Sequence, residues 1–152
     1  MQSNIINKNM TYLKYSNHPH FKYQIGYLDH STSYSNLTIQ TLINQTLLIE
    51  GANLKTREQY ARKILKISKL LPILIHATQD FSLFPITSKN HLDYILINSK
   101  HVDSIEQHNN HCSIIFTNNA LLNTTRDLNI ISKKMGESLR LIHHQKLHLS
   151  NL

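Results

Sequence analysis

The chain has 152 residues, with 16 Lys or Arg against 9 Asp or Glu, and carries a formal charge of +7 when its 11 His are counted as neutral. This length predicts one domain, and the basic excess favours an anionic partner such as nucleic acid, an acidic protein or a membrane surface. The single cysteine, Cys112, excludes an intramolecular disulfide, and the longest apolar run, residues 70–75, is too short to span a bilayer, so we expect a cytoplasmic protein.

The first third of the chain predicts an arm followed by strands. Residues 1–20 are rich in Asn, Ser and His, which favours a poorly ordered N-terminal arm, or an edge strand at best. We expect the ordered domain to span residues 21–148. Within it, residues 21–28 predict a strand, and residues 37–39 and 46–50 are β-prone.

A basic helix is predicted over residues 52–67. Thr56 and Gln59 form a capping-box pattern, and Pro72 would stop the helix because proline lacks the backbone N–H that a helix interior needs. One apolar stripe at helical spacing would face the core: Tyr60, Ile64, Ile67 and Leu71. Around it stand six cations, opposed only by Glu58: Lys55, Arg57, Arg62, Lys63, Lys66 and Lys69.

These six cations are the most informative charge feature, because a helix whose charges merely solvate it usually mixes the two signs. They predict phosphate contacts, with a basic solvated face as the alternative. For Arg57 there is a further alternative, in which the side chain pairs with Glu50 or Asp80 inside the fold.

Antiparallel strands are predicted after the basic helix. Residues 73–75 and 81–84 are predicted to pair as a hairpin, and Asn118-Asn119 signals a tight turn, because Asn tolerates the left-handed conformation. Further strands are predicted at residues 94–97, 102–105 and 113–117.

The last segment again predicts a helix, with Thr124 and Asp127 as its capping signature. Its apolar stripe is Leu128, Ile131, Met135, Leu139 and Ile142. Its other faces carry Lys133, Lys134, Arg140 and Lys146, and fraying is expected after His144. The order of elements predicts an α+β fold, an antiparallel β-sheet with a basic central helix and a C-terminal helix.

Enzyme chemistry finds little support in the sequence. It contains no nucleophile elbow, Walker loop or dinucleotide fingerprint, and Cys112 would point away from its neighbour His111 in a strand. A structural zinc site needs four ligands at characteristic spacings. No such set is present among the candidate ligands His108, His111, Cys112, His144 and His148. We therefore expect no enzyme, no cofactor and no metal.

Several short motifs resemble one family in their order along residues 45–142. They are Gly51 and Arg57, Lys66-Ile67-Ser68, Pro72-Ile73, Leu83-Phe84-Pro85, Ile97 with His101-Val102, and Phe116-Thr117-Asn118. Together they resemble the ComK family of bacterial competence transcription factors. The chain departs from the family pattern at Tyr94, Leu96 and Asn119, where the family has Cys, Trp and Gly, and at Ile86, where it has Thr.

The resemblance implies a transcription activator that recognises A/T-rich boxes in double-stranded DNA through the minor groove and acts there as a homo-oligomer. Implied partners are DNA and RNA polymerase, with no membrane, at a nucleoid-associated location. The expected DNA contacts are Lys55, Arg57, Arg62, Lys63, Lys66, Lys69, Lys133, Lys134 and Arg140.

Two other functions stay open at this point. One is a diverged protein-interaction module that has lost DNA binding. The other is a small RNA-binding domain whose N-terminal aromatic residues stack on unpaired bases. Core packing of a small sheet is the alternative role for these aromatic side chains: Tyr12, Tyr15, Phe21, Tyr23, Tyr27 and Tyr34.

Overall fold

The computed structural model describes residues 4–151, which form strands and helices in alternating groups. The strands of this part are β1 (Met10–Tyr15), β2 (Tyr23–Tyr27), β3 (Thr32–Ser35), β4 (Ile73–His76), β5 (Phe81–Pro85), β6 (Ile95–Asn98), β7 (Val102–Gln107), β8 (Cys112–Phe116) and β9 (Leu121–Thr124). Its α-helices are α1 (Ile39–Leu47), α2 (Leu54–Leu65) and α3 (Leu128–Ser150).

The strands build two antiparallel sheets. The larger has the order β3-β2-β1-β6-β5-β4, and the smaller has the order β7-β8-β9. The predicted hairpin is confirmed as β4 and β5, joined by a short 3₁₀ turn at Ala77–Gln79. The predicted turn at Asn118-Asn119 is also confirmed, because Asn119 has φ of 68° between β8 and β9. The α+β prediction with a C-terminal helix is therefore confirmed.

The predicted N-terminal arm is wrong where the chain forms β1. This strand lies between β2 and β6, and Leu13 pairs with Ile25 on one side and Leu96 on the other. Its Met10 and Leu13 side chains are fully buried. The surrounding polar residues concealed a short central strand, while residues 1–3 of the predicted arm lie outside the described residues.

The strands predicted at residues 37–39 and 46–50 are also wrong, since this segment forms α1 and a 3₁₀ turn at Leu48–Glu50. The hydroxyl oxygen of Thr38 accepts a hydrogen bond from the backbone N–H of Thr41 and caps the helix. Four side chains then recur at helical spacing and are buried against the large sheet: Ile39, Leu42, Ile43 and Leu47.

The two faces of the large sheet have different partners. Alternate residues such as Leu83 and Leu96 contribute to the core that contains the α1 side chains. On the opposite face, Phe84 and Ile97 pack with Phe116 of the small sheet and with the first turns of α3. The large sheet is thus a central layer between α1 and a second layer made of the small sheet and α3.

Helix α2 begins and ends differently from its prediction. Asn53, not Thr56, is the N-cap, and Thr56 completes a capping box with it in place of Gln59. The helix ends at Leu65, with Lys66 in the left-handed conformation at φ of 55°, well before Pro72. Leu54, Ala61 and Leu65 are its buried residues. The predicted stripe residues Tyr60, Ile64 and Ile67 are only partly buried beside them.

Helix α3 is capped by Asp127, as predicted, but fraying after His144 is wrong because the helix continues to Ser150. The predicted stripe residue Leu139 is 46% exposed. The inward face instead includes Ser138, whose Oγ lies 2.7 Å from Ser82 Oγ in β5 and 3.2 Å from Ser99 Oγ. Buried hydroxyl contacts therefore fix α3 against the sheet together with Ile131, Leu141 and Ile142.

Candidate nucleic-acid interface

The outward side of α2 and the loop that follows it carry exposed cations. Lys55, Arg62 and Lys63 project from the helix, Lys66 follows its last residue, and Lys69 lies in the loop before β4. Within residues 4–151 none of these five side chains forms an ion pair. The predicted phosphate contacts of this segment, apart from Arg57, are thus exposed side chains within residues 55–69.

Two exposed cations of α3 border the same region. The hydroxyl of Tyr60 in α2 lies 2.7 Å from Nδ1 of His144, which fixes the side of α3 that faces α2. Arg140 precedes His144 by one helical turn, and Lys133 precedes Arg140 by two turns, so both lie along this side of α3. We call the combined set the basic surface: Lys55, Arg62, Lys63, Lys66, Lys69, Lys133 and Arg140.

Helix electrostatics explain only part of this surface. Arg62 and Lys63 lie in the last turn of α2, where the negative end of the helix dipole favours cations. Lys55 lies in the first turn, where the positive end of the dipole opposes a cation. A purely structural role would therefore favour an acidic or neutral residue at position 55. The only acidic side chain within α2 is Glu58, so the helix provides little compensation for its cations.

Arg57 occupies a structural position between α2 and β4. Its Nη2 lies 3.2 Å from Glu50 Oε2 and donates to the carbonyl of Ile75 at 3.3 Å. Glu50 is also 2.8 Å from Nε2 of His76. Of the two partners considered from the sequence, Glu50 is the one that Arg57 contacts, because Asp80 pairs with Lys146 of α3. Arg57 is thus held inside the fold and is not part of the basic surface.

Lys134 is also held by contacts within the protein. Its Nζ lies 2.8 Å from Glu137 Oε1, and both side chains are at most 10% exposed. The same Nζ donates to the carbonyls of Lys69 and Leu70 at 3.3 Å, joining α3 to the loop after α2. We leave Lys134 out of the basic surface. Its position four residues before Ser138 and seven before Leu141 was the available sequence signal for an inward orientation.

The cysteine and histidines do not form a reactive cluster in the described part of the chain. The thiol of Cys112 is buried and donates to Gln107 Oε1 at 3.1 Å, and burial raises the pKa of this thiol. The rings of His108 and His111 stack with their centroids 4.6 Å apart. Across residues 4–151 no group of three His, Cys, Asp or Glu residues could hold a metal ion.

The N-terminal aromatic residues pack largely within the sheet. Tyr23 is buried, and its ring stacks on that of Tyr15 at a centroid distance of 5.3 Å. The ring of Tyr12 lies 6.2 Å from that of Phe116 in the small sheet. These contacts favour the core-packing alternative for Tyr12, Tyr15 and Tyr23 over a platform for unpaired bases.

The described residues contain no helix with both the length and the apolar character needed to cross a membrane. Searches of curated proteins and of solved structures found no match for the chain. A model of one family, described as ComK protein, matches residues 2–146. Since this match covers nearly the whole sequence, the chain belongs to the ComK family, a family of competence transcription factors rather than of enzymes.

Proposed function

We propose that this protein is a transcription regulator that binds double-stranded, A/T-rich DNA with its basic surface and acts on the nucleoid in the cytoplasm. The observation that carries the proposal is the set of seven exposed cations on α2, the loop after it and the adjoining side of α3. None of the seven forms an ion pair within the described residues. Membership of a transcription-factor family favours DNA as the anionic partner of this surface.

Phosphate contact supplies the affinity in this proposal. Lysine side chains at Lys55, Lys63 and Lys66 are exposed point charges on flexible stems, which suits neutralisation of phosphates without base recognition. Each phosphate contact releases condensed counterions, so the affinity should fall steeply as salt is raised.

Preference for A/T-rich DNA is assigned to the arginines of the basic surface. Narrow A/T minor grooves have a strongly negative potential and attract inserted arginines. Arg57 is held by Glu50, so the arginines on the basic surface are Arg62 and Arg140. We propose that one or both of them enter the minor groove while the lysines contact the flanking phosphates.

Self-association belongs to the same proposal, since the family resemblance implies oligomers on DNA. Leu48 and Ile49, in the 3₁₀ turn after α1, are 73% and 93% exposed. Neighbouring exposed apolar side chains favour burial in an interface. Sedimentation of the protein with and without duplex should show a larger assembly that is lost in a Leu48→Ser, Ile49→Ser variant. An unchanged assembly would remove this turn from the contact.

The affinity test compares two duplexes of equal length, one with an A/T box and one made only of G/C pairs, by fluorescence anisotropy over a salt series. Lys63→Ala with Lys66→Ala should weaken binding to both duplexes, and each lost phosphate contact should reduce the log–log salt slope by about one. Thermal melts should stay nearly unchanged, since exposed lysines contribute little to folding.

Lys22→Ala is the matched control, because this exposed lysine lies next to β2, whereas α2 packs beside β4 at the opposite edge of the large sheet. It should leave affinity and salt slope unchanged. Absence of binding to either duplex at low salt would contradict the proposed function itself. Equal affinity for the two duplexes would contradict only the A/T preference.

Arg62→Lys and Arg140→Lys separate groove insertion from simple charge. Both variants keep the charge but lose the planar guanidinium. If an arginine enters the minor groove, its lysine variant should lower the ratio of A/T-box to G/C affinity while the salt slope stays close to the parent value. An unchanged ratio in both variants would show that these arginines are phosphate contacts only.

A further inference from the structure

A cavity of about 320 Å³ lies beside α2, between the loop that follows the helix and the strands β4, β5 and β6. Its apolar wall includes Leu54, Ile73 and Leu96. Three cations line the same cavity, namely Arg62, Lys69 and Lys89, against the single acidic side chain of Glu58. The site therefore combines an apolar interior with a net positive lining, a combination typical of pockets for amphipathic anions.

One buried hydroxyl group in the cavity wall lacks a hydrogen-bond partner within residues 4–151. Thr87 is 3% exposed and its Oγ1 is unpaired. Such a group is costly unless a ligand or water pairs with it. Tyr94 also lines the cavity, and its ring packs against that of Tyr15. Burial raises the pKa of Tyr94 well above its ordinary value, so its hydroxyl keeps its proton.

The loop that closes one side of the cavity is held in an uncommon conformation. Leu70, which lines the cavity, has φ of 51°, and Lys66 at the start of the loop has φ of 55°. Lys134 fixes this conformation by donating to the carbonyls of Lys69 and Leu70. Left-handed backbone at a leucine is strained, and such strain is found preferentially at ligand-binding sites and switches.

From these observations together we propose that the cavity binds a small amphipathic carboxylate. Its apolar body would lie against Leu54, Ile73 and Leu96, and its carboxylate would be held by the cations of the lining. Oxygen atoms of the ligand would accept hydrogen bonds from Tyr94 and, after rotation of its side chain, from Thr87. A DNA backbone offers phosphates but no apolar body for this interior, so the proposed ligand differs from the phosphates of DNA. Arg62 and Lys69 belong both to the basic surface and to the cavity lining, whereas Lys89 belongs to the lining alone.

The cavity volume indicates the size of a suitable probe. An apolar cavity of roughly 150 Å³ accommodates benzene, so this cavity suits a fused two-ring group. The probes are therefore 2-naphthoate and its neutral counterpart 2-naphthamide, titrated into the full chain by calorimetry without DNA. Naphthoate should bind saturably and at least about tenfold more tightly than naphthamide. A tenfold ratio of dissociation constants corresponds to about 1.4 kcal/mol of binding free energy. This measurement contains no DNA, so its outcome is independent of the DNA-binding proposal.

Charge variants test the lining directly. Lys69→Gln with Lys89→Gln should reduce naphthoate affinity by about tenfold or more and leave naphthamide affinity unchanged. Lys133→Gln removes an exposed cation of α3 outside the cavity and is the matched control. All three lysines are exposed, so the variants should fold with nearly parental melting temperatures.

Thr87→Val keeps the side-chain shape and gives a readout of opposite signs. Removing its unpaired buried hydroxyl should leave the melting temperature of the free protein equal or higher, whereas naphthoate affinity should fall. Tyr94→Phe keeps the ring and removes only the hydroxyl that would donate to the ligand, so naphthoate affinity should fall in this variant too.

Equal affinity for naphthoate and naphthamide would overturn the proposal, as would naphthoate binding that persists unchanged in both the charge variant and Tyr94→Phe. Absence of saturable naphthoate binding at millimolar concentration would also overturn it.

Discussion

The outward face of α2 and the inward face of α3 both carry lysines, but these lysines have different surroundings. Lys63 is exposed and forms no ion pair within the described residues, whereas Lys134 is buried against Glu137 and two backbone carbonyls. Both were candidates for DNA contact from charge alone. The difference teaches that the phase of a cation within the helical repeat, more than the sign of the local charge, decides whether it is available to a ligand.

The comparison makes a clear separation of phenotypes possible. Cations held inside the fold should affect stability when they are removed, and cations of the basic surface should affect binding. If removal of one cation lowered both the stability and the DNA affinity, the inward and outward faces would not be cleanly separated in function.

The largest effect is expected for Lys134→Ala. This change leaves Glu137 as an unpaired buried carboxylate and frees the carbonyls of Lys69 and Leu70. Breaking a buried pair in this way typically costs about 3–5 kcal/mol. Lys133→Ala, one residue away and exposed, should change the free energy of unfolding by less than about 0.5 kcal/mol. Urea denaturation of both variants measures the difference.

A combined Lys134→Met, Glu137→Leu variant is the control for the buried charge. It removes both charges together, so it should recover much of the stability lost in Lys134→Ala. Equal stability of the Lys133 and Lys134 variants would contradict the assignment of inward and outward faces on α3.

The next effect tests which side of α2 forms the core. Leu65 is 7% exposed, while Ile64 is only partly buried at the edge of the same cluster. Leu65→Ala should destabilise the protein by roughly 2–5 kcal/mol. Ile64→Ala should cost less because its side chain loses less buried surface. Chemical denaturation of the two variants gives the order, and a larger loss for Ile64→Ala would reverse the orientation of α2.

Local signals in the sequence were sufficient for the elements whose patterns are strong. The α2 segment, the β4–β5 hairpin and the Asn119 turn follow from helical spacing, short apolar runs and a residue tolerant of positive φ. Strand β1 was missed because polar residues surround it and because one of its two partners, β6, is far away in the chain. Helix α1 was missed because its apolar residues also suit a strand, and tertiary packing decided between the two.

The candidate site was predictable only in part, for a related reason. Composition located the basic segment and offered Glu50 and Asp80 as partners of Arg57, but it could not decide between DNA contact and the ion pair with Glu50 that the fold brings together. Lys89 was not predicted as a site residue. It becomes a neighbour of Arg62 and Lys69 in the cavity only through the pairing of β4, β5 and β6. Contacts between distant segments carry no local sequence signature.

A smaller effect is expected for Arg57→Ala. The lost contacts involve a charged donor, which typically contributes about 1.5–3 kcal/mol. Because the Arg57 and Glu50 side chains are 20% and 33% exposed, solvent screening should bring the loss toward the low end of that range. The ratio of A/T-box to G/C affinity should stay unchanged in the folded variant.

Arg62→Ala is the counterpart for this prediction. It should leave the thermal melt nearly unchanged and weaken DNA binding, because Arg62 is exposed and makes no ion pair in residues 4–151. If Arg57→Ala lowered the ratio of A/T-box to G/C affinity without changing the melting temperature, Arg57 would be a DNA contact and not a structural residue.

The smallest effect is the pH dependence of stability that comes from His101. Its buried ring donates from Nε2 to the carbonyl of Lys8 at 2.6 Å, which ties the segment before β1 to the turn before β7. Burial lowers the pKa of His101 below its ordinary value of 6.5, the nearby charge of Lys100 acts in the same direction, and the hydrogen bond to Lys8 opposes them.

The sign of the pH effect follows from which state binds the proton first. Well above pH 6.5 the imidazole is neutral in both states, so it contributes no pH dependence there. As the pH falls below 6.5, the unfolded chain takes up the proton before the folded protein does, and stability decreases until the folded pKa is reached. Carboxylates titrate mainly below about pH 5, so the range between pH 6.5 and 5 is the informative one. His101→Gln can keep a donor near the Lys8 carbonyl but does not titrate. Thermal melts across this range should show a steeper loss for the parent than for His101→Gln, and parallel curves would show that His101 does not carry the effect.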